Sequence, residues 1–496
     1  MKKSIVHLVH YALNKRLIEP EQIDQAIACL TQALFEEPFD YVPFDFDDDE
    51  EADLEKLLDI AAQKKLISAS NLDERDAFEA LLFNCVMPSP DVVKKEFHAL
   101  YQINPGETTK SLYRISKDVN YIKTKRLKSN IEWVYEGKYG KLQMTINLAK
   151  PEKDPKEIAA AKNKEDIQKD LSIPKCVICK ENEQNYHNAR MNLRIVPLIL
   201  GGEVWHFQYS PYLYYNEHAI ILHDIHQPMK ISSKTFTYLL DFEDQFPAYF
   251  IGSNADLPIV GGSILNHDHF QGGRHQFPIQ DARPLKSFGT ISHVDVSHLK
   301  WPLSTIRLTS SDRQSIEKLA SFILEEWKMY DNQALNIVSH TLHIPHNTIT
   351  PIARKSGTVY ELDLILRNNR TTEAYPLGIF HPHQDVHHIK KENIGLIEAM
   401  GLAILPGRLK QELKDILEWL NQKGDLPPHL EKHHVWMKEL KKTNLKVYTE
   451  SWLFKEVGKK FERVIEDSGV FKLDEKGTQA MQAFITNTIK KFTQKV

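Results

Sequence analysis

Through the first hundred residues the apolar positions recur at helical spacing. Residues 22–34 (QIDQAIACLTQAL) and 51–66 (EADLEKLLDIAAQKKL) each set an apolar stripe against polar positions, which predicts two amphipathic helices. The acidic run over residues 45–53 reads as a solvated loop and helix start. Pro88-Ser89-Pro90 breaks the pattern and is expected to end a helical extension near residue 100. From about residue 110 the period shortens to two. Residues 131–135 (IEWVY) and 141–148 (KLQMTINL) alternate as strands or a hairpin would. Residues 150–170 are densely charged and read as an exposed helix or linker. Strand-like runs resume at 193–198, 204–207 and 218–222, with a helix expected over 233–246. The second half repeats the mixture, with strands at 334–338 and 359–366 and helices at 391–402, 406–422 and 474–494. Strands clustered in this way favour an α+β fold over a doubly wound sheet. No short-period repeat or low-complexity stretch is visible.

At 496 residues the chain exceeds one core and suggests about two to three domains. A net charge of −4 supplies no electrostatic footprint for nucleic acid. No stretch approaches the roughly 20 apolar residues that span a bilayer, and His10 and Asn14-Lys15-Arg16 cut short any signal-peptide core. A cytoplasmic location is expected, with no membrane or nucleic-acid partner. Four cysteines (Cys29, Cys85, Cys176, Cys179) are too few for a disulfide scaffold. The 23 histidines, many of them between residues 187 and 388, mark where the chemistry is expected.

Cys176-Val177-Ile178-Cys179 is a CxxC. Paired thiolates at that spacing can grip one tetrahedral Zn²⁺ and leave two positions, although redox pairs share the pattern. With no second CxxC the remaining ligands must be histidine or carboxylate, and His226 and His267 are candidates within about 90 residues downstream. A zinc nucleobase deaminase is excluded, because Lys175 separates Pro174 from Cys176 and no HxE precedes the cysteines.

His267-Asp268-His269-Phe270-Gln271 carries the strongest pattern. In an extended strand His267, His269 and Gln271 share one face while Asp268 and Phe270 share the other. An imidazole can serve as nucleophile or metal ligand, and an amide can donate to a phosphoryl oxygen. The flanking pairs Gly261-Gly262 and Gly272-Gly273 are expected to let the backbone approach a bulky anionic ligand. The plain alternative is a strand with satisfied, partly buried histidines. His381-Pro382-His383-Gln384, followed by Asp385, His387 and His388, puts its amide one residue early for the same face and reads as a surface loop. His340, His343 and His346 with Asn347 are ambiguous, and His343 and His346 could line a sugar-phosphate pocket. Glu361 and Asp363 fit a solvated strand face.

These motifs resemble the galactose-1-phosphate uridylyltransferase family, in its second, longer type, within the histidine-triad superfamily. The resemblance is densest in residues 176–179, 212–222 (YLYYNEHAIIL) and 254–273 (NADLPIVGGSILNHDHFQGG). The better-studied branch reads HPHGQ where this chain reads HDHFQ, so Asp268 replaces proline and Phe270 replaces glycine. The resemblance implies two histidine-triad-like halves with antiparallel sheets and flanking helices, at 101–285 and 286–496, behind a helical N-terminal extension over 1–100. It implies His269 as the nucleophile that takes the uridylyl group of UDP-glucose and passes it to galactose 1-phosphate. Gln271 is the implied hydrogen-bond partner of the phosphoryl group. It implies one structural Zn²⁺ on Cys176, Cys179, His226 and His267, with His218 and His223 as nearby competitors for the His226 role, and no organic cofactor. Asn254 and Ser263 fall near the family's phosphate contacts. Arg190 and Arg194 suit a diphosphate by bidentate binding, or are ordinary surface arginines. UDP-glucose, UDP-galactose and hexose 1-phosphates are the implied partners, in a possible homodimer. A histidine-triad nucleotide hydrolase or phosphorylase and a non-catalytic zinc-binding module are the alternatives.

Overall fold

The computed structural model describes residues 1–43, 50–148, 174–186, 189–262, 264–422 and 426–495. The charged stretch at 150–170, positions 44–49 of the acidic run, and Ser263 lie outside these described residues.

Helices fill the N-terminal region and continue beyond the expected boundary at residue 100. Pro88-Ser89-Pro90 does end one helix, but it also begins the next, Pro90–Tyr101. Proline is favoured in a first helical turn, where its missing N–H has no partner to lose, and the Ser89 hydroxyl accepts from the Val92 amide. Asn104 caps Pro105–Asp118 in the same manner, through Gly106 N at 3.0 Å and Glu107 N at 3.3 Å. The last helical turn before the first strand is Thr124–Leu127. Cys29 and Cys85 form a disulfide within this region. It is one local bridge between helix Ile23–Ala33 and the end of helix Leu72–Asn84.

The expected hairpin is present as β1 (Ile131–Gly137) and β2 (Gly140–Ile146). It stands apart from the main sheet, where β15 (Leu402–Leu405) adds parallel to β2. The main sheet joins β3 (Val196–Leu200), β4 (Glu203–Tyr209), β5 (Ala219–His223), β6 (Phe250–Gly252), β7 (His269–Gly273), β8 (Pro284–Ile291), β9 (Val294–Leu299), β10 (Thr305–Ser310), β13 (Asn347–Ser356) and β14 (Val359–Asn368). The short strands β11 (His340–Thr341) and β12 (Ile344–Pro345) form a separate hairpin. Among the described residues the sheet has ten antiparallel strands in the order β3-β4-β5-β7-β6-β13-β14-β10-β9-β8.

That order contains a repeat that the residue pattern hides. Three meandering strands, a helix (Ser233–Gln245), and the pair β6, β7 make one unit. Three more strands, a helix (Arg313–Lys328), and the pair β13, β14 make the second. The two halves of this α+β fold meet edge to edge where β6 pairs with β13, through Ile352 opposite Gly252. Each half therefore covers one of the other's open edges, which an isolated half would expose.

Side-chain alternation sends the sheet's two faces into different cores. Phe270 and Ile251 point towards helices Ser233–Gln245 and Arg313–Lys328, while Phe250 and Ile352 point towards the C-terminal helices and the β1–β2–β15 sheet. Two expected elements differ. Residues 334–338 form a 3₁₀ turn, Gln333–Leu335, followed by Asn336 at φ +59°, which no strand accommodates. The helix expected over 391–402 shrinks to Leu396–Ala399. Gly401 then turns at φ +100° where a Cβ would sit 2.8 Å from Pro278 and 2.9 Å from Trp301, and β15 follows.

Asp363 also departs from its expected solvated position. It is fully buried and accepts from Arg307 Nε at 2.7 Å and Nη2 at 2.9 Å, and from Arg354. Arg307 in turn donates to the carbonyl of Ile279 at 2.9 Å. Burial opposes the Asp363 charge, but the two guanidinium groups win and hold its carboxyl below the ordinary range. Removing it would leave two largely buried cations with only the half-buried Glu361 to share between them. Asp363→Ala is therefore expected to cost about 3–5 kcal/mol in a denaturant-unfolding measurement, and a loss below about 1 kcal/mol would contradict the buried-network assignment.

Candidate active site and metal-ligand group

Strand β7 is held from both sides. Its Leu222–His269 and Ile220–Gln271 pairs tie it to β5, and Gly252–Gln271 ties it to β6. Gln271, Gly252, Ile352, Asp363 and Arg307 form one row across the sheet on a single face. His269 and Gln271 lie on that face, as the alternation requires. Phe270 points the other way and stacks on Trp205 at 4.7 Å between centroids. Burying such a ring contributes about 2 kcal/mol towards holding this register, and a one-residue slip would exchange it for the histidine.

The chain entering β7 is fixed before the strand begins. The Asp268 amide donates to the Gln227 carbonyl at 2.7 Å, and the His223 amide donates to the Asp268 carbonyl at 2.9 Å. These bonds run residues 223–229 alongside 265–268 and bring His226 to His267, with ring centroids 4.7 Å apart. Proline at position 268 would lack the first of these donors. The Asp268 side chain projects away from the histidines, where burial pushes its carboxyl up to about 7, with Asp256 and Glu203 adding to the shift and His223 opposing it.

Cys176 and Cys179 approach the same two rings. The sulfurs are 3.4 Å apart, Cys176 Sγ is 3.4 Å from His267 Nδ1, and Cys179 Sγ is 3.1 Å from His226 Nδ1 and 3.6 Å from His267 Nδ1. All four ligand atoms lie within 4.8 Å of one another, and this is the one such group among the described residues. Tetrahedral zinc, about 2.3 Å from sulfur and 2.0 Å from nitrogen, spaces its ligands about 3.3–3.8 Å apart, so the donor set fits that ion. The rest of the His267 ring agrees. Its Nε2 lies 2.9 Å from the His223 carbonyl, which fixes the tautomer that leaves Nδ1 free to ligate. Burial and the neighbouring Cys176 push the Cys179 thiol up to about 12, so a cation is what would make this pair thiolates.

The two competing histidines are engaged elsewhere. His223 Nδ1 accepts from the Ile225 amide and its Nε2 donates to Glu203 at 3.1 Å, while His218 lies beside Gln271 at the other end of β7 and bonds the Tyr212 carbonyl. Sequence reasoning missed Asn182. Fully buried, it donates to the carbonyls of Cys176 at 2.8 Å and Cys179 at 3.0 Å and so holds the CxxC loop. An asparagine three residues after the motif carries no signal without that geometry.

His269 makes one decisive hydrogen bond. Its Nδ1 lies 2.8 Å from the carbonyl of His267, which can only accept, so the proton sits on Nδ1 and Nε2 carries the lone pair. Burial pushes the ring's pKa down to about 4, outweighing that carbonyl's opposing effect, and keeps the imidazole neutral at physiological pH. A neutral imidazole with a free Nε2 is a nucleophile that needs no separate base.

The remaining expected contacts fall differently. Asn254 is buried and its Oδ1 accepts from the Leu396 amide at 2.8 Å, so it ties the end of β6 to the segment over Gly252. Arg194 is 3% exposed and gives its donors to Pro88, Met191 and Leu193 carbonyls and to Asn84. It is a structural clamp with no open face for a diphosphate, which corrects the expectation for it. Arg190 stacks over Tyr121 at 5.4 Å and donates to its hydroxyl. It packs against the helical region and is not joined to β7. His346 bonds Asn369 and Thr341, and His381 bonds Asn393. Neither histidine cluster assembles a second site among the described residues.

The glycines flanking the motif serve packing rather than ligand approach. A Cβ on Gly261 would lie 2.3 Å from the Ala255 carbonyl oxygen, and one on Gly262 would meet the Asn254 amide at 2.6 Å. On Gly273 it would meet Tyr215 at 2.6 Å and the Glu217 carbonyl at 2.9 Å.

The chain is also similar to known proteins over most of its length. A family model described as galactose-1-phosphate uridyl transferase, N-terminal domain, matches residues 42–228, and its C-terminal counterpart matches 242–440. The chain is 50% identical over 444 residues to the galactose-1-phosphate uridylyltransferase of Clostridium acetobutylicum, covering 87% of this chain and 88% of that one. The enzyme of the same name from Caldanaerobacter subterraneus is 47% identical over 511 residues, covering 97% and 96%. That from Bacillus subtilis is 47% identical over 441 residues, covering 86% and 85%.

Because two of the atoms that crowd Gly273 belong to backbone or a buried ring, Gly273→Ala should lower stability by about 1–3 kcal/mol in thermal or denaturant unfolding. A neutral substitution would show that the space is available to a ligand after all.

Proposed function

The chain belongs to the galactose-1-phosphate uridylyltransferase family, and from that membership and the setting of His269 we propose that it moves a uridylyl group between hexose 1-phosphates. UDP-glucose and galactose 1-phosphate give glucose 1-phosphate and UDP-galactose. The observation that carries the reading is the Nδ1–H bond from His269 to the His267 carbonyl, which leaves Nε2 of a buried ring unprotonated.

The chemistry follows from that lone pair. Nε2 attacks the α-phosphorus of UDP-glucose, the bridging P–O bond breaks, and glucose 1-phosphate leaves with the bridging oxygen and the electron pair. A phosphate is a good leaving group, so no strong general acid is required. The developing positive charge on the imidazole is shared with the His267 carbonyl through Nδ1–H. A phosphate oxygen of galactose 1-phosphate then attacks the same phosphorus, the P–N bond breaks, and the ring regains its Nε2 lone pair. Gln271, one strand step along the same face, donates an amide N–H to a phosphoryl oxygen in both half-reactions. As a neutral donor it brings no proton to manage.

In this reading Cys176, Cys179, His226 and His267 would hold a Zn²⁺ ion. Four protein ligands would leave no open position for water, so its contribution would be structural. His267, two residues from the nucleophile and the owner of the carbonyl that orients it, would be anchored there.

Incubation with uracil-labelled UDP-glucose should leave acid-labile label on the protein, and His269→Ala should carry none and lose about 10⁴-fold or more in transfer. Gln271→Ala should still take label but on the order of a hundredfold more slowly. Label retained by His269→Ala would overturn the nucleophile assignment. For the metal, elemental analysis should find about one equivalent of zinc per chain, with Cys176→Ser/Cys179→Ser lowering both zinc content and thermal stability. Less than about a tenth of an equivalent in the purified protein contradicts the site.

A further inference from the structure

The residue beside Gln271 is a buried histidine that the transfer chemistry above does not use. His218 immediately precedes β5. Ile220 stands directly opposite Gln271, and residues two apart along a strand share a face, so His218 lies diagonally across from Gln271 on the His269 side of the sheet. Its ring is 3% exposed and packs on Tyr215 at 4.4 Å and Tyr214 at 5.5 Å.

The proton on this ring has one available place. His218 Nδ1 lies 3.0 Å from the Tyr212 carbonyl oxygen, which can only accept, so Nδ1 bears the hydrogen and Nε2 presents a lone pair. That Nε2 is buried and unpartnered, and so is the amide oxygen of Gln271. The two side chains are neighbours on one face of the β5–β7 pairing. An amide oxygen facing an imidazole lone pair sets acceptor against acceptor. A half-turn of the amide about its terminal bond replaces that arrangement with an N–H donated from Gln271 to His218 Nε2, which satisfies both buried groups. Burial also pushes the His218 ring down to about 4, so it stays an acceptor at physiological pH.

We infer that His218 is a positioning residue for Gln271, selecting the one amide orientation that offers an N–H to the phosphoryl group. The inference rests on the uridylyl-transfer reading. One amide hydrogen is held by His218, the second remains for a phosphoryl oxygen, and the Gln271 carbonyl oxygen is turned away from the approaching anion. Without the lone pair of His218 the amide is free to present its oxygen, and that orientation opposes the negative charge that builds on the phosphoryl oxygens as Nε2 attacks.

The test separates the two nitrogens of the ring. In His218→Asn the side-chain amide can replace Nδ1 at the Tyr212 carbonyl but reaches nothing at the Nε2 position. In His218→Gln the longer side chain places an oxygen acceptor near the Nε2 position. The rate at which label from UDP-glucose enters the protein should fall about tenfold in His218→Asn, with KM and melting temperature nearly unchanged, and should stay within about threefold of the parent in His218→Gln. In a Gln271→Ala background His218→Asn should cause no further loss, because the residue acts through the amide. Equal losses in the two variants, or a full additional tenfold in the Gln271→Ala background, would overturn the inference. Should His218→Asn fail to fold, a folded His218→Gln that loses tenfold overturns it equally. Failure of the parent reading is recognised separately, since the unsubstituted protein would then take no label.

Discussion

The alternation of side chains along β7, with His267 fixed just before the strand begins, is the constraint on which this site depends. One imidazole enters a Cys/His group, the next carries an outward lone pair, and the amide beyond it meets the same face, while Phe270 is driven into the opposite core. A strand has no freedom to choose these directions one residue at a time. The register must therefore be held at both ends. At the N-terminal end it is held by the backbone bonds of Asp268 to Gln227 and His223 and by the ligand group around His267. At the other end it is held by the crowding of Gly273 against Tyr215 and the Glu217 carbonyl. A nucleophile placed to within a fraction of an ångström needs this kind of over-determination.

The row running from Gln271 through Gly252 and Ile352 to Asp363 shows how the two halves divide the work. In the first half the row ends in Gln271, whose amide oxygen has no partner. In the second half the corresponding strand carries Asp363, and its charge is consumed by Arg307 and Arg354. One topology thus serves once as a reactive surface and once as a bolt fastening β10, β13 and β14 to the loop at Ile279. The edge-to-edge pairing of β6 with β13 joins the second half to the strands that carry His269 and Gln271. It also explains why the reactive strand lies near the centre of a wide sheet, where fraying at the edges does not reach it.

What could be read from the sequence was what lies within a few residues. The alternation of His269, Phe270 and Gln271, the CxxC loop, and the helices at 22–34 and 474–494 are local patterns, and the fold retains them, although the strand begins only at His269. The choice of His226 over His218 and His223 was not local. All three lie within eight residues, and only the pairing of 223–229 with 265–268 decides which ring meets the cysteines. Asp363 looked solvated because its partners Arg307 and Arg354 lie on other strands, 56 and 9 residues away. The helix expected at 391–402 was lost to Gly401, whose positive φ and contact with Trp301 belong to tertiary packing. The flanking glycines looked like room for a ligand because the sequence shows the missing side chain but not the atoms that fill its place.

The central claim is that His269 forms a covalent bond to the uridylyl group through Nε2 while His267 does not react. Protein trapped with UDP-glucose in the absence of galactose 1-phosphate, digested under conditions that preserve P–N bonds and mapped by mass spectrometry with ³¹P–¹⁵N coupling measured on the intact adduct, tests it most directly. The account predicts one uridylyl group per chain, on His269, coupled to Nε2. An adduct on His267 or any other residue, or coupling to Nδ1, would contradict it.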